Sequence, residues 1–173
     1  MYHIDMANSK VQIKNITVNE LPVILKWYNN SLEFKYATGI DKPVSYKFLY
    51  LKLIETAISS EDFFAGIFLN NGSCKIVGII KGCFKEKNKL WINSIVLEPE
   101  YRNMGYGTEA IKLLFAKLKN IKGICHAYLS VMEENKRGID FWKKNGFTVF
   151  RKYKKSFNFE GSRVGAVIMH RSI

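Results

Sequence analysis

Ile95-Val96-Leu97-Glu98-Pro99-Glu100-Tyr101-Arg102-Asn103-Met104-Gly105-Tyr106-Gly107-Thr108 joins an apolar run to a strongly amphipathic one, and its reading decides the fold. Residues 89–97 have the length and apolar content of a strand. After the turn, Tyr106, Ala110, Ile111, Leu114 and Leu118 recur at helical spacing and predict a helix over residues 106–120. Gly105 and Gly107 stand where the chain must turn tightly into the first helical turn. A helix start presents unpaired N–H groups and the positive end of the helix dipole, which suits an anion such as a phosphate or pyrophosphate. Arg102 adds a positive charge beside it. A ligand-free strand-to-helix connection also uses glycines, and two glycines alone favour that plainer reading.

Gly105, Gly107 and Ala110 also satisfy the dinucleotide pattern G-x-G-x-x-G/A, with Glu133 or Glu134 about 20 residues further on. The surroundings argue against it. A dinucleotide fingerprint follows its strand almost directly, whereas seven residues, 98–104, intervene here, a proline among them. A Walker loop is excluded because no Gly-Lys-Ser or Gly-Lys-Thr occurs.

Working toward the N-terminus, residues 63–69, 75–84 and 89–97 are short apolar runs separated by Asn70-Asn71-Gly72 and by a charged turn at 85–88. They predict three consecutive antiparallel strands. Further back, residues 11–17 alternate and predict a first strand. A helix should follow, with Asn19 as N-cap, Pro22 in the first turn, and Leu21, Ile24, Leu25 and Tyr28 on one face. Residues 31–43 read as a loop or broken helix, and residues 45–58 as a second helix burying Phe48, Leu51, Ile54 and Ile58. Toward the C-terminus the pattern predicts a strand at 124–131, a helix at 135–144, and strands at 147–157 and 164–171. The order β α α β β β α β α β β marks a mixed α/β chain (α+β). With no internal repeat, no low-complexity tract and only three prolines, residues 1–173 read as a single domain.

Composition supports a packed core: 47% of residues are apolar and 14% aromatic. The 27 Lys and Arg against 15 Asp and Glu leave a net charge of +12, which excludes an acidic surface and raises nucleic acid, a membrane surface or an anionic cofactor as partners. Because 22 of the 27 are lysines, which lack the fork geometry of base reading, specific nucleic-acid recognition is not expected. Cys74, Cys83 and Cys125 form no CxxC pair and no metal set, and read as reduced, mostly buried thiols. No run approaches the ~20 apolar residues of a membrane span, and the N-terminus lacks an apolar signal region, so a cytoplasmic protein is expected.

The stretch above, followed by Asn135-x-x-Gly138-Ile139-x-Phe141-Trp142-Lys143-Lys144-x-Gly146-Phe147, resembles the acetyl-CoA-binding core of the GCN5-related N-acetyltransferase (GNAT) family. The two motifs span residues 95–147, in the right order, with a strand of the right length between them. The resemblance implies a central, twisted, mostly antiparallel sheet of about seven strands flanked by about four helices. It implies acetyl-CoA as co-substrate. Ile95, Val96 and Leu97 would give backbone contacts to the pantetheine arm and acetyl carbonyl, and Leu97 N–H would hold the oxyanion. The loop amides of Asn103, Met104, Gly105, Tyr106, Gly107 and Thr108, with Arg102, would hold the pyrophosphate. The strand at 129–131 would splay away from the first, and Asn135 would contact the cofactor arm, a role compatible with its being an N-cap. Gly146-Phe147 reads as a left-handed helix stop with a core aromatic.

The implied reaction is direct transfer of an acetyl group from a thioester to a primary amine, carried by a small molecule or a peptide. An ammonium with a reference pKa of ~10.4 must lose a proton before attack. Many relatives place a Tyr where Trp142 stands, and an indole cannot serve as a general acid. Some relatives that modify protein N-termini carry a Glu where Ser130 stands. Tyr128, Ser94, Asn93, Glu133 and Glu134 are the nearby alternatives, and none is singled out as base or acid. Trp27, Tyr28, Phe34 and Tyr36 could wall an amine site, with Glu33 and Asp41 as counter-charges, although aromatics at helical spacing are usually core. No metal is implied, and the chain is expected to be a monomer or homodimer. Two other readings stay open: a non-specific nucleic-acid-binding module, from the net charge and the run Arg151-Lys152-Tyr153-Lys154-Lys155, and a domain that binds acyl-CoA without turning it over.

Overall fold

In the computed structural model eight strands hydrogen-bond into one sheet in the order β1-β2-β3-β4-β5-β6-β8-β7. They are β1 (Asp5–Ala7), β2 (Val11–Asn15), β3 (Asp62–Leu69), β4 (Ile76–Lys85), β5 (Lys89–Leu97), β6 (His126–Met132), β7 (Thr148–Phe159) and β8 (Ser162–Ser172). The helices are α1 (Leu21–Asn29), α2 (Ser31–Thr38), α3 (Tyr46–Ile58), α4 (Tyr106–Lys122) and α5 (Lys136–Lys144). The structure describes every residue except Lys87 and the side chains of residues 155–157. All neighbouring strands run antiparallel except β5 and β6, which are parallel. The mixed, mostly antiparallel sheet expected from the sequence is the one observed.

The sheet carries a helical layer on each face. On one side α4 contributes Ala110, Ile111, Leu114 and Leu118, all fully buried, and α5 contributes Trp142, against Ala65, Ile67, Leu90, Ile92 and Leu129. On the other, α1, α2 and α3 pack Leu21, Ile24, Trp27, Phe34, Leu49 and Leu53 against Phe64, Ile79 and Val96. Strand β3, Asp-Phe-Phe-Ala-Gly-Ile-Phe-Leu, is therefore apolar on both sides rather than alternating. Each fully buried Phe there contributes about 1.5–3 kcal/mol of transfer free energy.

The structure departs from expectation where tertiary packing overrides local pattern. Residues 31–38 form α2 because Asn30 and Gly39 (φ 69°) break the chain on either side of good helix formers. Only Phe34 of α2 is buried, so no apolar period announced it. On α3 the predicted face is the wrong one: Leu49 and Leu53 are buried, while Phe48, Leu51, Ile54 and Ile58 are exposed, Ile58 at 82%. The helix is apolar almost all round, so its period could not choose a side. Asn19 is not a cap: it lies within a 3₁₀ turn, Val18–Glu20, that leads into α1 and is itself capped by Thr17, whose N donates to Glu20 Oε2 at 2.7 Å and whose Oγ1 accepts from Asn19 N at 3.2 Å, a capping box. Strand β1, three residues with only Met6 buried, was too short to show alternation. Cys74 and Cys125 are exposed and Cys83 is buried, which corrects the expectation of mostly buried thiols. Arg151, Lys152 and Lys154 lie on the edge strand β7, where charge discourages a further strand from pairing; the Lys155 side chain is outside the described residues.

Candidate active site

The site is built by one extra residue in β5. Lys81 on β4 faces Ser94 and Gly82 faces Ile92, so Asn93 is a bulge. The insertion reverses the side-chain phase. Leu90 and Ile92 point toward α4 and α5, and after the bulge so do Ile95 and Leu97, while Val96 points toward α1, α2 and α3. The parallel ladder with β6 ends at the same place: Ile92 opposite Leu129 is its last pair. Strand β6 instead stays with β8 as far as Met132 opposite Ala166. The two strands diverge, and a gap opens between residues 93–97 and 130–132. Glu98 N donates to Val77 O on β4 at 2.9 Å. Alternation along the strand then turns the N–H groups of Leu97 and Ile95 the other way, into the gap.

Beyond β5 a 3₁₀ turn at Pro99–Tyr101 leads into a loop with Asn103 at φ 60° and Gly105 at φ 83°. Helix α4 starts at Tyr106 with no side-chain cap, so its first amides present free donors and a positive dipole end beside the gap. A Cβ on Gly107 would lie 3.0 Å from Leu97 Cδ1 and 3.1 Å from Phe141 Cε2, so any side chain there would have to push these two neighbours back by a few tenths of an ångström, and glycine keeps the helix start close to the end of β5 and to α5. Sequence reasoning missed Lys10, whose Nζ donates to Met104 O at 2.7 Å and lies 4.9 Å from the Tyr106 ring centre. Nothing local to Lys10 signals this, because it reaches the loop only through the β1–β2 connection.

Arg102 is placed differently from expectation. Its Nε donates to Leu97 O at 2.8 Å, its Nη1 pairs with Glu33 on α2, and the guanidinium lies 4.9 Å from the Phe34 ring centre. The side chain is only 14% exposed and its charge is already partnered. Asn135 is an N-cap as expected, accepting from Gly138 N at 2.8 Å. Gly146 is left-handed (φ 80°) and Phe147 is buried. Trp142 is core, 6% exposed, edge-on to Phe141 and Phe147 at 4.9 and 5.1 Å.

The aromatic wall proposed from α1 and α2 is mostly core. Trp27, Tyr28 and Phe34 are buried, and burial pushes the Tyr28 phenol up to about 12. Tyr36 stacks on Phe159 at 5.9 Å. Glu33 is taken by Arg102, whereas the exposed Asp41 accepts through Oδ2 from the neutral Glu160 N–H at 3.1 Å and keeps its charge. Ser94 Oγ donates to Ala37 O at 2.6 Å. Tyr128 stacks against Trp91 and His170. Glu133 and Glu134 are exposed. Among the described residues no group of His, Cys, Asp and Glu could hold a metal, and no helix is long and apolar enough to cross a membrane.

The arrangement offers inward amides along a bent strand edge, leading to the free amides of a helix start packed against the end of that strand. It suits an extended molecule with a polar arm at one end and an anion at the other. A model of the acetyltransferase (GNAT) family matches residues 24–147. The chain is 25% identical over 148 residues to a spermidine N(1)-acetyltransferase of Thermoplasma acidophilum, covering 80% of this chain and 89% of that protein. Its fold is similar to that of spermidine N-acetyltransferase from Vibrio cholerae, solved with CoA and spermine (TM-score 0.82, 16% identity, 95% of this chain and 96% of that one). It is also similar to a Salmonella typhimurium acetyltransferase that modifies the N-terminal serine of a 50S ribosomal subunit protein (TM-score 0.82, 13% identity, 96% of each chain).

Proposed function

The chain belongs to the acetyltransferase (GNAT) family and is an acetyl-CoA-dependent N-acetyltransferase, and on that premise we propose how its own residues perform the transfer. One observation carries the assignment: β5 leaves β6 at the Asn93 bulge, and the strand then leads through one loop into a helix start whose amides have no side-chain cap. The pantetheine arm runs in the gap along Ile95, Val96 and Leu97. The pyrophosphate rests on the amides of residues 103–108, at the positive end of α4. Lys10 supplies the neighbouring cation, and Arg102 fixes the turn rather than touching phosphate. Asn135 holds the start of α5 against the arm.

The neutral amine attacks the thioester carbonyl; its C–N bond forms, the carbonyl oxygen becomes an oxyanion, and the C–S bond breaks to release CoA thiolate. The N–H of Leu97 faces the developing oxyanion. Trp142 is sealed in the core and carries no acid, so the thiolate leaves without a side-chain acid and the amine proton passes to solvent. The catalytic unit comprises residues 1–173 as one domain, works in the cytoplasm as a monomer or homodimer, and takes an amine as partner rather than nucleic acid.

Acetyl-CoA should raise the melting temperature by mass action, and thiol release should depend on added amine. Absence of any shift at acetyl-CoA well above micromolar sinks the assignment. A shift with no thiol release on any amine favours the domain that binds acyl-CoA without turnover.

A further inference from the structure

On the sheet face covered by α1, α2 and α3, the helical layer stops at β5: the second core cluster draws nothing from β6, β7 or β8. Below the Asn93 bulge this face carries aromatic side chains instead. Trp91 and Tyr128 stand opposite each other on the parallel pair β5 and β6, with rings 6.1 Å apart and within 9° of parallel. Phe150 on β7 meets Tyr128 edge-on at 5.8 Å and 84°, yet is 63% exposed. These three rings border an open cavity of about 760 Å³, which also reaches Asn93 and Ile168. That volume lies in the range of roughly 300–1,000 Å³ typical of small-molecule sites.

Position, access and charge then narrow what the cavity can take. Asn93 is the residue at which β5 leaves β6, so the cavity adjoins the start of the gap, on the face opposite α4 and α5. The other approach on that face is occupied by α2, which is tied to Ser94 and, through Lys35 to Glu160 at 2.7 Å and the Tyr36–Phe159 stack, to the tip of the β7–β8 hairpin. At the rim Asp62 and Glu86 balance Lys85 and Lys89, with Glu86 and Lys89 already paired at 2.8 Å.

We propose that this cavity is the acceptor subsite and that it takes a primary amine carried on a flat apolar body, of arylalkylamine type, rather than a polycation. The proposal rests on the acetyltransferase reading and adds the substrate class to it. A flat body lies against Trp91 and Tyr128 with Phe150 as its end wall, while its amine points past Asn93 into the gap. There the amine gives its proton to solvent, forms the C–N bond to the acetyl carbon and displaces CoA thiolate. The extra ammonium groups of a polycation would meet Lys85 and Lys89 with no net negative charge to hold them.

The probe is 2-phenylethylamine, with spermidine as the competing chemistry. Both are titrated by calorimetry into CoA-saturated wild type, Trp91→Ala and Phe150→Ser, and thiol release from acetyl-CoA is measured with each amine. Wild type should bind 2-phenylethylamine about tenfold or more tighter than spermidine. Each substitution should weaken that binding and raise the amine KM by about fivefold or more, with acetyl-CoA affinity unchanged. Because Phe150 is exposed, its variant should fold even if Trp91→Ala does not. Tighter binding of spermidine, or binding and KM indifferent to Phe150→Ser, overturns the subsite. If acetyl-CoA fails to bind the wild type at all, the acetyltransferase reading itself falls.

Discussion

Arg102 donates its Nε–H to the carbonyl oxygen of Leu97 at 2.8 Å, closing the turn that carries the chain from β5 into α4. Through Glu33 and Phe34 the same guanidinium fastens that turn to α2. Arg102→Ala should therefore cost about 2 kcal/mol in urea unfolding, as expected for losing a partly buried charged donor, and should weaken acetyl-CoA binding through the displaced turn. Arg102→Lys should recover little of either, because an ammonium cannot fork between Leu97 O and Glu33. Weakened acetyl-CoA binding with unchanged stability would show instead that the guanidinium touches the cofactor.

Gly105 holds φ 83° as the cap of α4. In Gly105→Val a β-branched side chain must adopt that left-handed geometry, at a cost of about 1–2 kcal/mol, and it approaches Lys10 Nζ, 3.2 Å from the ideal Cβ position. The variant should fold with a lowered melting temperature and lose the acetyl-CoA-induced shift, which in wild type should reach about 2.7 kcal/mol at a hundredfold excess over Kd. An undiminished shift would remove this loop from cofactor binding.

Lys81 sits half-buried on β4 with its Nζ 4.6 Å from the Phe64 ring centre, and among the described residues no hydrogen bond or ion pair holds it. Burial, with Lys52 nearby, lowers its pKa below the ordinary 10.5. The unfolded chain then binds more protons between the folded and unfolded values, so stability rises with pH through that window. Lys81→Met should gain about 1 kcal/mol at neutral pH and flatten the alkaline rise. A less stable variant would mean the ammonium has a partner of real worth.

His126 Nδ1 and His170 Nε2 lie 3.2 Å apart on the same sheet face as Tyr128, and burial together with His126 lowers the pKa of His170 from 6.5. A base whose folded pKa is depressed contributes stability above its unfolded value, and loses it as pH falls through the folded one. The urea midpoint should be lower at about pH 5.5 than at about pH 7.5, and His170→Gln should shrink the difference. An identical difference in the variant would assign the acid sensitivity to other groups.

What the sequence made legible was local. The glycines before α4, the buried face of that helix, the Asn135 cap and the Gly146 stop each follow from a few adjacent residues and were read correctly. The Thr17-x-x-Glu20 capping box is equally local, and it outcompetes Asn19 as the cap. Contacts made at long range were out of reach: Lys10 meets Met104 across 94 residues, and Arg102 meets Glu33 across 69. The bulge was hidden because Trp91-Ile92-Asn93-Ser94-Ile95 reads as a strand in either phase. The aromatics of α1 and α2 looked like a substrate wall only because the sequence cannot show which side of a helix the sheet covers. Trp91, Tyr128 and Phe150, scattered over 60 residues, come together only through the sheet order β5-β6-β8-β7.

The Asn93 bulge makes chain length itself a part of this enzyme. Loss of that one residue would restore an unbroken ladder with β4, remove the bend at which β5 leaves β6, and let the amides of Ile95 and Leu97 pair onward with β6, closing the gap. Hairpin tips elsewhere can lengthen or shorten between descendants with little consequence. Here a three-nucleotide deletion would erase the pantetheine track while leaving every glycine of the loop in place. Grafting residues 95–108 into another sheet would carry the phosphate cradle but not the transfer, unless the inserted asparagine travelled with them.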